Sequence, residues 1–385
     1  MRCATGMLSR RELLLGVGIA GGMLAAAGLL GACGKAAAPS SGGSPSGADW
    51  DGILAAAKKE GHVSVMTQAG DSVRAVFDAF QNKYGIATEQ QPGAGSPDLV
   101  PRVANERKAG QFSWDVVVHG APALFGGFKQ AGALDPLKSA LVLPEVTDDA
   151  NWIGGFDAGY ADIEKSVDYA FVGYLYWCAY VNRDLVPEAA LSKFEQLWDP
   201  RWKGKIAILD PRQPSAGAGS VAAMLAATNE DRLRAFFRDQ QPVITQDRRQ
   251  LAEWMIRGQY PIGLGQDVTV MQDFITQGVE VKQVQALVDD ALGASLLSSS
   301  FGTVGVFNRP PHPNAAKVLV NWLLSREGQS VWSQHTSLNS RRTDVAPVSL
   351  PDAIVDPKKT YLNLQIEQTF PTYLKAVAIA KEELK

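Results

Sequence analysis

The residues that could carry chemistry in this sequence do not form a recognised catalytic motif. The sequence contains no G-x-S-x-G, H-E-x-x-H or G-x-x-x-x-G-K-[ST] pattern. Segment 217–222 fits the loose dinucleotide pattern G-x-G-x-x-[G/A], but it lies too far after its strand to support a nucleotide. The histidines show no metal-ligand spacing, so we expect neither a metal nor a cofactor. A hydrolase whose Ser, His and Asp are distant in sequence stays an alternative, because only geometry reveals such a set.

Polar residues instead directly follow the segments that are predicted to be buried strands. These segments are 62–67, 115–119, 206–209 and 260–264. Segments with apolar residues at helical spacing separate these strands, which predicts an α/β fold. In open α/β sheets, ligands bind outside the carboxyl ends of the strands, and helix starts attract anions. The predicted ligand-binding residues are Thr67, Gln68, Asp71, Ser72, Ser96, His119, Tyr174, Ser215, Gly217, Gly219, Ser220, Arg248, Gln266, Asp267 and Arg341.

Each of these residues also has a purely structural interpretation. Asp71 or Ser72 could only cap the following helix, and the two glycines could only serve a tight turn. His119 could be a hydrogen-bonded residue at the end of its strand. Of the aromatic residues at 174–177, we expect two in the core. The arginines could be solvated, but an arginine facing the ligand would favour an anion, since guanidinium pairs bidentately with carboxylate and phosphate.

The first 32 residues are predicted to be an export signal and not part of the fold. Two adjacent arginines precede an apolar run at 13–30, which is the pattern of a twin-arginine signal. The run ends in Leu-Gly-Ala before Cys33 and so resembles a lipobox, which predicts a lipid on that thiol. The Gly-, Ser- and Ala-rich segment 33–49 predicts a flexible tether. A transmembrane anchor left in place is the alternative.

Composition limits the rest of the chain. A formal net charge of -3 over 385 residues gives no support to nucleic-acid binding. Cys3 lies in the signal and Cys33 in the lipobox, so Cys178 alone remains and no intramolecular disulfide is expected. We expect Cys178 to be a buried structural thiol. The length beyond the signal predicts about two domains or lobes.

The aromatic run YAFVGYLYWCAYVNRDL at 169–185 is predicted to be a buried strand that carries the chain from one lobe into a second. An ordinary core strand inside one domain is the alternative. The predicted division places lobe I at 50–172 plus 300–345, lobe II at 173–299 and a C-terminal helical segment at 346–385.

Several stretches resemble the bacterial extracellular solute-binding proteins of ABC importers, in the branch that includes ferric-ion binders. In chain order they are AAAKKEGHVSVMTQAG, SPDLVPRVANERKAG, DVVVHG, WCAYVNRDLV, WKGKIAILDP, AEWMIRGQYPIGLG, HPNAAKVLVNWLLSREGQ and NSRRTDV. The resemblance implies the α/β type II periplasmic-binding-protein fold. In that fold two lobes, each a mostly parallel sheet flanked by helices, are joined by crossover strands and close around one small solute.

The resemblance also implies partners and a location. An ABC permease with its ATPase would receive the solute, and the protein would be a monomer, lipid-anchored on the outer face of the cytoplasmic membrane. A ligand receptor for a sensor, without transport, stays an alternative. Ferric binders of this branch carry adjacent tyrosines after the strand that resembles PIGLG, whereas this chain has Gly265 to Val268 there and no Tyr-Tyr pair. We therefore expect an organic anion, an oxyanion or a metal chelate in place of a bare ferric ion.

Overall fold

The computed structural model describes residues 50–93, 96–266 and 268–384 of the chain, apart from the side chains of residues 92, 93, 96–98 and 268. The predicted export signal, the predicted tether with Cys33 and the predicted ligand residue Asp267 lie outside the described residues. Ser96 is described by its backbone alone.

Helices and strands alternate along the described chain. The α-helices are α1 (Trp50–Glu60), α2 (Asp71–Tyr84), α3 (Ser96–Lys108), α4 (Ala121–Ala123), α5 (Pro144–Thr147), α6 (Ala216–Ala227), α7 (Glu230–Gln240), α8 (Arg248–Ile256), α9 (Val268–Thr276), α10 (Pro313–Leu324), α11 (Arg326–Thr336) and α12 (Phe370–Glu383). The strands are β1 (His62–Gln68), β2 (Ala87–Gly93), β3 (Val116–His119), β4 (Leu134–Asp135), β5 (Tyr169–Ala170), β6 (Tyr174–Trp177), β7 (Ala179–Asn182), β8 (Ile206–Leu209), β9 (Val243–Thr245), β10 (Ile262–Leu264), β11 (Val284–Ala286), β12 (Ser295–Ser298) and β13 (Thr303–Phe307). A π-helical turn, Leu124–Phe128, continues α4.

The first sheet has the strand order β2-β1-β3-β13-β4, with β5 also paired to β13, and we call the part built on it lobe I. Strand β1 runs parallel to β2 and β3, whereas β13 is antiparallel to β3, β4 and β5. Phe77 and Phe80 of α2 pack with Trp322 of α10 in the main hydrophobic core of this lobe. The parallel strands come from successive β-α units, as the alternation predicts.

The second sheet has the order β11-β7-β10-β8-β9, and we call the part built on it lobe II. Strand β8 is parallel to β9 and β10, and β7 is antiparallel to β10 and β11. Each sheet is thus mixed, with three parallel strands on one side and antiparallel strands on the other. The antiparallel neighbours β13 and β7 belong to the chain segments that pass between the lobes.

The aromatic run does carry the chain between the two sheets, but as three short strands and not one. Strand β5 pairs in lobe I, β6 pairs with β12 in a separate two-stranded ribbon, and β7 pairs in lobe II. Gly173 and Cys178 separate the three strands. Cys178 is fully buried as expected, and burial raises the pKa of its thiol to about 12.

Short-range chemistry decides where several helices begin and end. Gly85 ends α2 in the left-handed region, at φ 70. The side chain of Asn229 caps α7 by accepting the N–H of Arg232. Helix α10 begins at Pro313, where the missing N–H costs nothing.

The alternative that Asp71 or Ser72 only caps a helix does not hold. Neither residue caps α2, because the helix begins at Asp71 itself and Gly70 occupies the capping position without a side-chain bond. Strand β11 covers Val284–Ala286, and before it the N–H of Val279 donates to the Phe274 carbonyl at the end of α9. Helix α6 begins at Ala216, because the side chain of Ser215 caps it.

No helix among the described residues is long and apolar enough to cross a membrane.

Candidate functional site

The carboxyl ends of β1 and β3 bring buried polar side chains to one edge of the lobe I sheet. Thr67 is 1% exposed and His119 is 5% exposed. Neither the Thr67 hydroxyl nor either ring nitrogen of His119 has a hydrogen-bond partner among the described residues. Burial lowers the pKa of His119, so its ring is neutral near pH 7 and offers one donor and one acceptor.

Strand register separates these two side chains. Thr67 pairs with Val118 in the parallel ladder, so Thr67 and His119 point to opposite faces of the sheet. Gln68, the last residue of β1, shares the face of His119. The sheet edge therefore brings Gln68 and His119 together and turns Thr67 toward the packed α2 side.

Strand β13 completes this edge, and sequence reasoning missed its contribution. Thr303 lies opposite His119, and its hydroxyl donates to the His119 carbonyl oxygen at 2.8 Å. A Cβ built on Gly120 would lie 3.3 Å from the carbonyl oxygen of Ser300, so the backbones approach closely here. No sequence pattern at 300–303 predicts a place at the candidate site. The start of β13 reaches the carboxyl end of β3 only because the two strands, which are far apart in the chain, pair antiparallel.

In lobe II, the residue after β8 forms a charged cluster that sequence reasoning also left out. Asp210 accepts two bonds from Arg212, Nε to Oδ1 and Nη2 to Oδ2, both at 2.9 Å. Gln246 donates to the same carboxylate at 3.2 Å. Arg212 holds the pKa of Asp210 down to about 2. An acid followed two residues later by a basic side chain in a loop was the available signal for this pair.

Ser215, Gly217 and Gln266 meet at the first turn of α6. The Ser215 hydroxyl accepts the N–H of Ala218 at 3.0 Å and donates to the Asp210 carbonyl at 2.7 Å, so it caps the helix. Gln266, fully buried, follows β10. Gly265, at φ +78, lies so close that a Cβ there would be 2.4 Å from the Gly217 nitrogen. The predicted residues after β8 and β10 therefore form one cluster.

The glycines of α6 serve close packing in a helix, not a tight turn. A Cβ on Gly217 would lie 1.8 Å from the Leu209 carbonyl oxygen, and a Cβ on Gly219 would lie 1.8 Å from the Tyr176 hydroxyl. The Ser220 hydroxyl is fully buried and donates to the Cys178 carbonyl at 2.9 Å. Gly217 and Gly219 therefore allow α6 to pack closely on the sheet and on the crossover, and Ser220 adds a hydrogen bond to the crossover.

Other predicted residues lie outside these clusters. Asp71 and Ser72 are exposed at the start of α2, and Arg248 is exposed at the start of α8. Tyr174 is partly buried at the start of β6, whereas Tyr176 and Trp177 are buried, in line with the expectation that two of three aromatics belong to the core.

Arg341 is 7% exposed and lies where the lobes join. Its Nη1 donates to the Ala170 carbonyl at 3.1 Å and its Nη2 to the Ile153 carbonyl at 2.6 Å. The alternative of a solvated arginine therefore does not hold for this residue. Its long side chain fits because Gly159 and Gly173 leave room, since a Cβ at either would clash with it.

The C-terminal segment bridges the two lobes, which the sequence did not predict. Phe370 packs edge-on against Phe125 of lobe I, with ring centroids 5.3 Å apart. Tyr373 of the same helix reaches lobe II, where its hydroxyl accepts the N–H of Ser215 at 3.2 Å. Helix α12 itself packs on α6 and α7. The capped start of α6 is thus covered by residues more than a hundred positions later.

Residues 75–360 match the family model of the bacterial extracellular solute-binding proteins. The chain belongs to the bacterial extracellular solute-binding proteins. Proteins of this kind bind small solutes and work with ABC permeases. This solute-binding protein is also 23% identical over 209 residues to an uncharacterised protein of Haemophilus influenzae, and the match spans 52% of this chain and 58% of that protein.

Solved structures with the same fold include several iron-binding proteins. Iron-bound HitA from Pseudomonas aeruginosa is 17% identical with a TM-score of 0.64, and the match covers 84% of this solute-binding protein and 99% of HitA. FutA from Trichodesmium, in complex with iron and citrate, is 15% identical with a TM-score of 0.62, covering 84% and 99%. A Bordetella ferric binding protein is 18% identical with a TM-score of 0.62, covering 84% and 98%.

The two-lobe periplasmic-binding-protein fold is therefore confirmed, and the relatives are binding proteins and not enzymes. Among the residues that the structure describes in this solute-binding protein, no three His, Cys, Asp or Glu side chains are grouped to hold a metal ion. At the strand ends of lobe I, the side chains are neutral hydrogen-bond donors and acceptors. At the strand ends of lobe II, the backbone N–H groups at the start of α6 are the candidate donors.

Proposed function

We propose that this protein captures a small solute between its two lobes and delivers it to an ABC permease driven by an ATPase. The bound solute would stabilise the closed arrangement, because it contacts both lobes only when they are close. The proposed solute is an organic anion, an oxyanion or a metal chelate. Family membership supports the role in capture, and the side chains at the strand ends support the ligand class.

The observation that carries the proposal is the buried imidazole of His119. A buried polar group without a partner costs free energy, so such groups in native proteins generally serve a ligand or a water. His119 ends β3, where ligands of open α/β sheets bind. Since burial lowers its pKa, the neutral ring can donate to an anion without requiring acid pH.

The three solved structures named above are described as iron-bound or ferric-binding, but the donor set here fits a bare ferric ion poorly. Where ferric binders of this branch carry adjacent tyrosines, this chain has Gly265 and Gln266. The phenol of Tyr373, near the same helix start, is buried, and burial raises its pKa to about 12, which disfavours a phenolate ligand. An iron complex with a small organic acid could still bind through the acid.

A ligand screen by thermal unfolding tests the proposal, with organic acids, phosphonates, sugars, polyamines and ferric chelates. A ligand at 100 times its dissociation constant should stabilise the protein by about 2.7 kcal/mol. Calorimetric titration of a hit should show His119→Gln weakening binding by about tenfold, the cost of one hydrogen bond to a charged group. The control His335→Gln, at an exposed residue of α11, should bind normally. No binding in any class, or turnover of a hit, would overturn the proposal.

We also propose that a lipid on Cys33 holds the exported protein, as a monomer, on the outer face of the cytoplasmic membrane. The twin-arginine pattern and the lipobox-like end of the apolar run support this location. The variant Cys33→Ala should appear in the soluble fraction without labelled fatty acid. A Cys33→Ala protein that stays in the membrane fraction would show that the segment is a transmembrane anchor.

A further inference from the structure

A small cavity, lined mostly by apolar atoms but also by one arginine, lies where lobe I, the β12 crossover and the C-terminal segment meet. Its volume is about 30 Å³, enough for roughly two water molecules. Residues 158–161 and Arg341 supply one wall, Leu297 and Ser299 a second, and residues 363–366 the third. The cavity is therefore formed only when all three segments are in place.

Arg341 is the one charged side chain among the described residues that line this cavity. It forms no ion pair with any carboxylate in the described ranges, and the acceptors of its two terminal nitrogens, on Ala170 and Ile153, are neutral carbonyls. Burial lowers its pKa, yet an arginine stays charged in proteins. An isolated buried charge is costly, and buried charges are normally paired.

Three acidic residues at 157–168 do not neutralise the positive charge of Arg341. Asp162 is 3% exposed, and its carboxylate accepts the backbone N–H groups of residues 166–168. Asp168 is fully buried, and burial raises its pKa well above the usual range, which favours the neutral form. Asp157 pairs with Lys138 on the surface. None of these three acids forms an ion pair with Arg341.

Two further polar residues line the cavity. Tyr160 lines it, is 7% exposed, and its hydroxyl has no partner among the described residues. Gln365 lines it too, and its amide oxygen accepts from Ser298 and from the Ser299 N–H at 3.0 Å each, which leaves its NH₂ group as a donor. A guanidinium, a phenol and an amide NH₂ together match a single small anion.

We infer that this cavity is a binding site for a small monovalent anion of chloride to formate size. Room for roughly two water molecules suits an ion of this size, and one guanidinium balances a single negative charge. The anion would neutralise Arg341 and accept from Tyr160, and so stabilise the junction of the three segments. This site goes beyond the proposed function, because no solute is required for it and its occupant differs in size from the solute classes above.

Chloride-35 line broadening on the full-length protein tests the site, because a bound chloride relaxes much faster than a free one. We expect saturable broadening that formate displaces and sulfate at equal ionic strength does not. Tyr160→Phe keeps the ring and should weaken chloride binding by about tenfold. Arg341→Gln should abolish it. The control Tyr84→Phe, a half-buried tyrosine of α2 away from the cavity, should leave binding unchanged.

Because Arg341→Gln could impair folding, Tyr160→Phe decides the outcome, and crystals soaked in bromide give a second measurement. An anomalous peak beside the guanidinium would support the site. Broadening that rises linearly with chloride, or that is equal in wild type and Tyr160→Phe, would overturn it and indicate a water-filled cavity. Since solute titration is measured separately, failure here would not affect the proposed role in solute capture.

Discussion

Replacement of Gly219 by alanine should destabilise the protein through one identifiable contact. A Cβ on Gly219 would lie 1.8 Å from the Tyr176 hydroxyl, which lies in the buried core of lobe II. Overpacking of this kind costs about 1–3 kcal/mol, whereas the change from glycine to alanine inside a helix returns about 1 kcal/mol. We therefore expect Gly219→Ala to lower the free energy of unfolding by up to about 2 kcal/mol.

Urea unfolding of a double-mutant cycle measures this contact. In a Tyr176→Phe background the nearest atom to the new Cβ becomes Cζ, at 2.9 Å, so the clash is reduced but not removed. We expect the cycle to give a coupling free energy of about 1 kcal/mol, with Tyr176→Phe partly rescuing Gly219→Ala. Gly52→Ala is the matched control, because that helical glycine has nothing within 4 Å, and the change should stabilise by about 0.5–1 kcal/mol.

Two outcomes would refute this reasoning. If the two substitutions are additive within about 0.5 kcal/mol, the hydroxyl does not lie over Gly219. If Gly219→Ala is fully stable but loses solute binding, the glycine acts at the ligand and not in packing.

Three further predictions concern stability. Asn229→Ala removes the cap of α7 and should lower the urea midpoint by the equivalent of about 1 kcal/mol, while an adjacent surface change such as Asp231→Ala should cost less. Asp210→Asn should cost roughly 2 kcal/mol at neutral pH, because the pKa of Asp210 is lowered from 3.8 to about 2 in the folded protein. That advantage of the wild type is present above the unfolded pKa and should disappear in unfolding curves as the pH falls toward about 2. Asp168 behaves oppositely: burial raises its pKa well above 3.8, so its contribution is favourable below that pH and is lost as pH rises through the folded pKa. Asp168→Asn should therefore raise the melting temperature at pH 7 and lose that gain near pH 4; an equal gain at both values would contradict a buried, neutral carboxyl.

The sequence determined the elements whose causes are local. Apolar runs at 62–67 and 206–209 could only be buried strands, and the side chain of Asn229 and the ring of Pro313 marked helix starts by chemistry within one turn. Order and spacing of the family-like stretches gave the two-lobe fold. The rule that ligands lie at carboxyl strand ends selected Gln68 and His119, which the fold does place on one face of the sheet edge.

Only the tertiary structure shows which polar side chains are hydrogen-bonded within the protein and which have no partner. Arg341 could have been solvated, and only the packing of Gly159 and Gly173 around it shows a buried cation at the lobe junction. Thr303 and Tyr373 reach the strand-end clusters through antiparallel pairing and helix docking, which no short-range pattern encodes. Contacts between residues that are distant in the chain depend on strand register and on the shape of the packed elements. Sequence periodicity therefore predicts which face of a helix or strand is buried, but not which element packs against it.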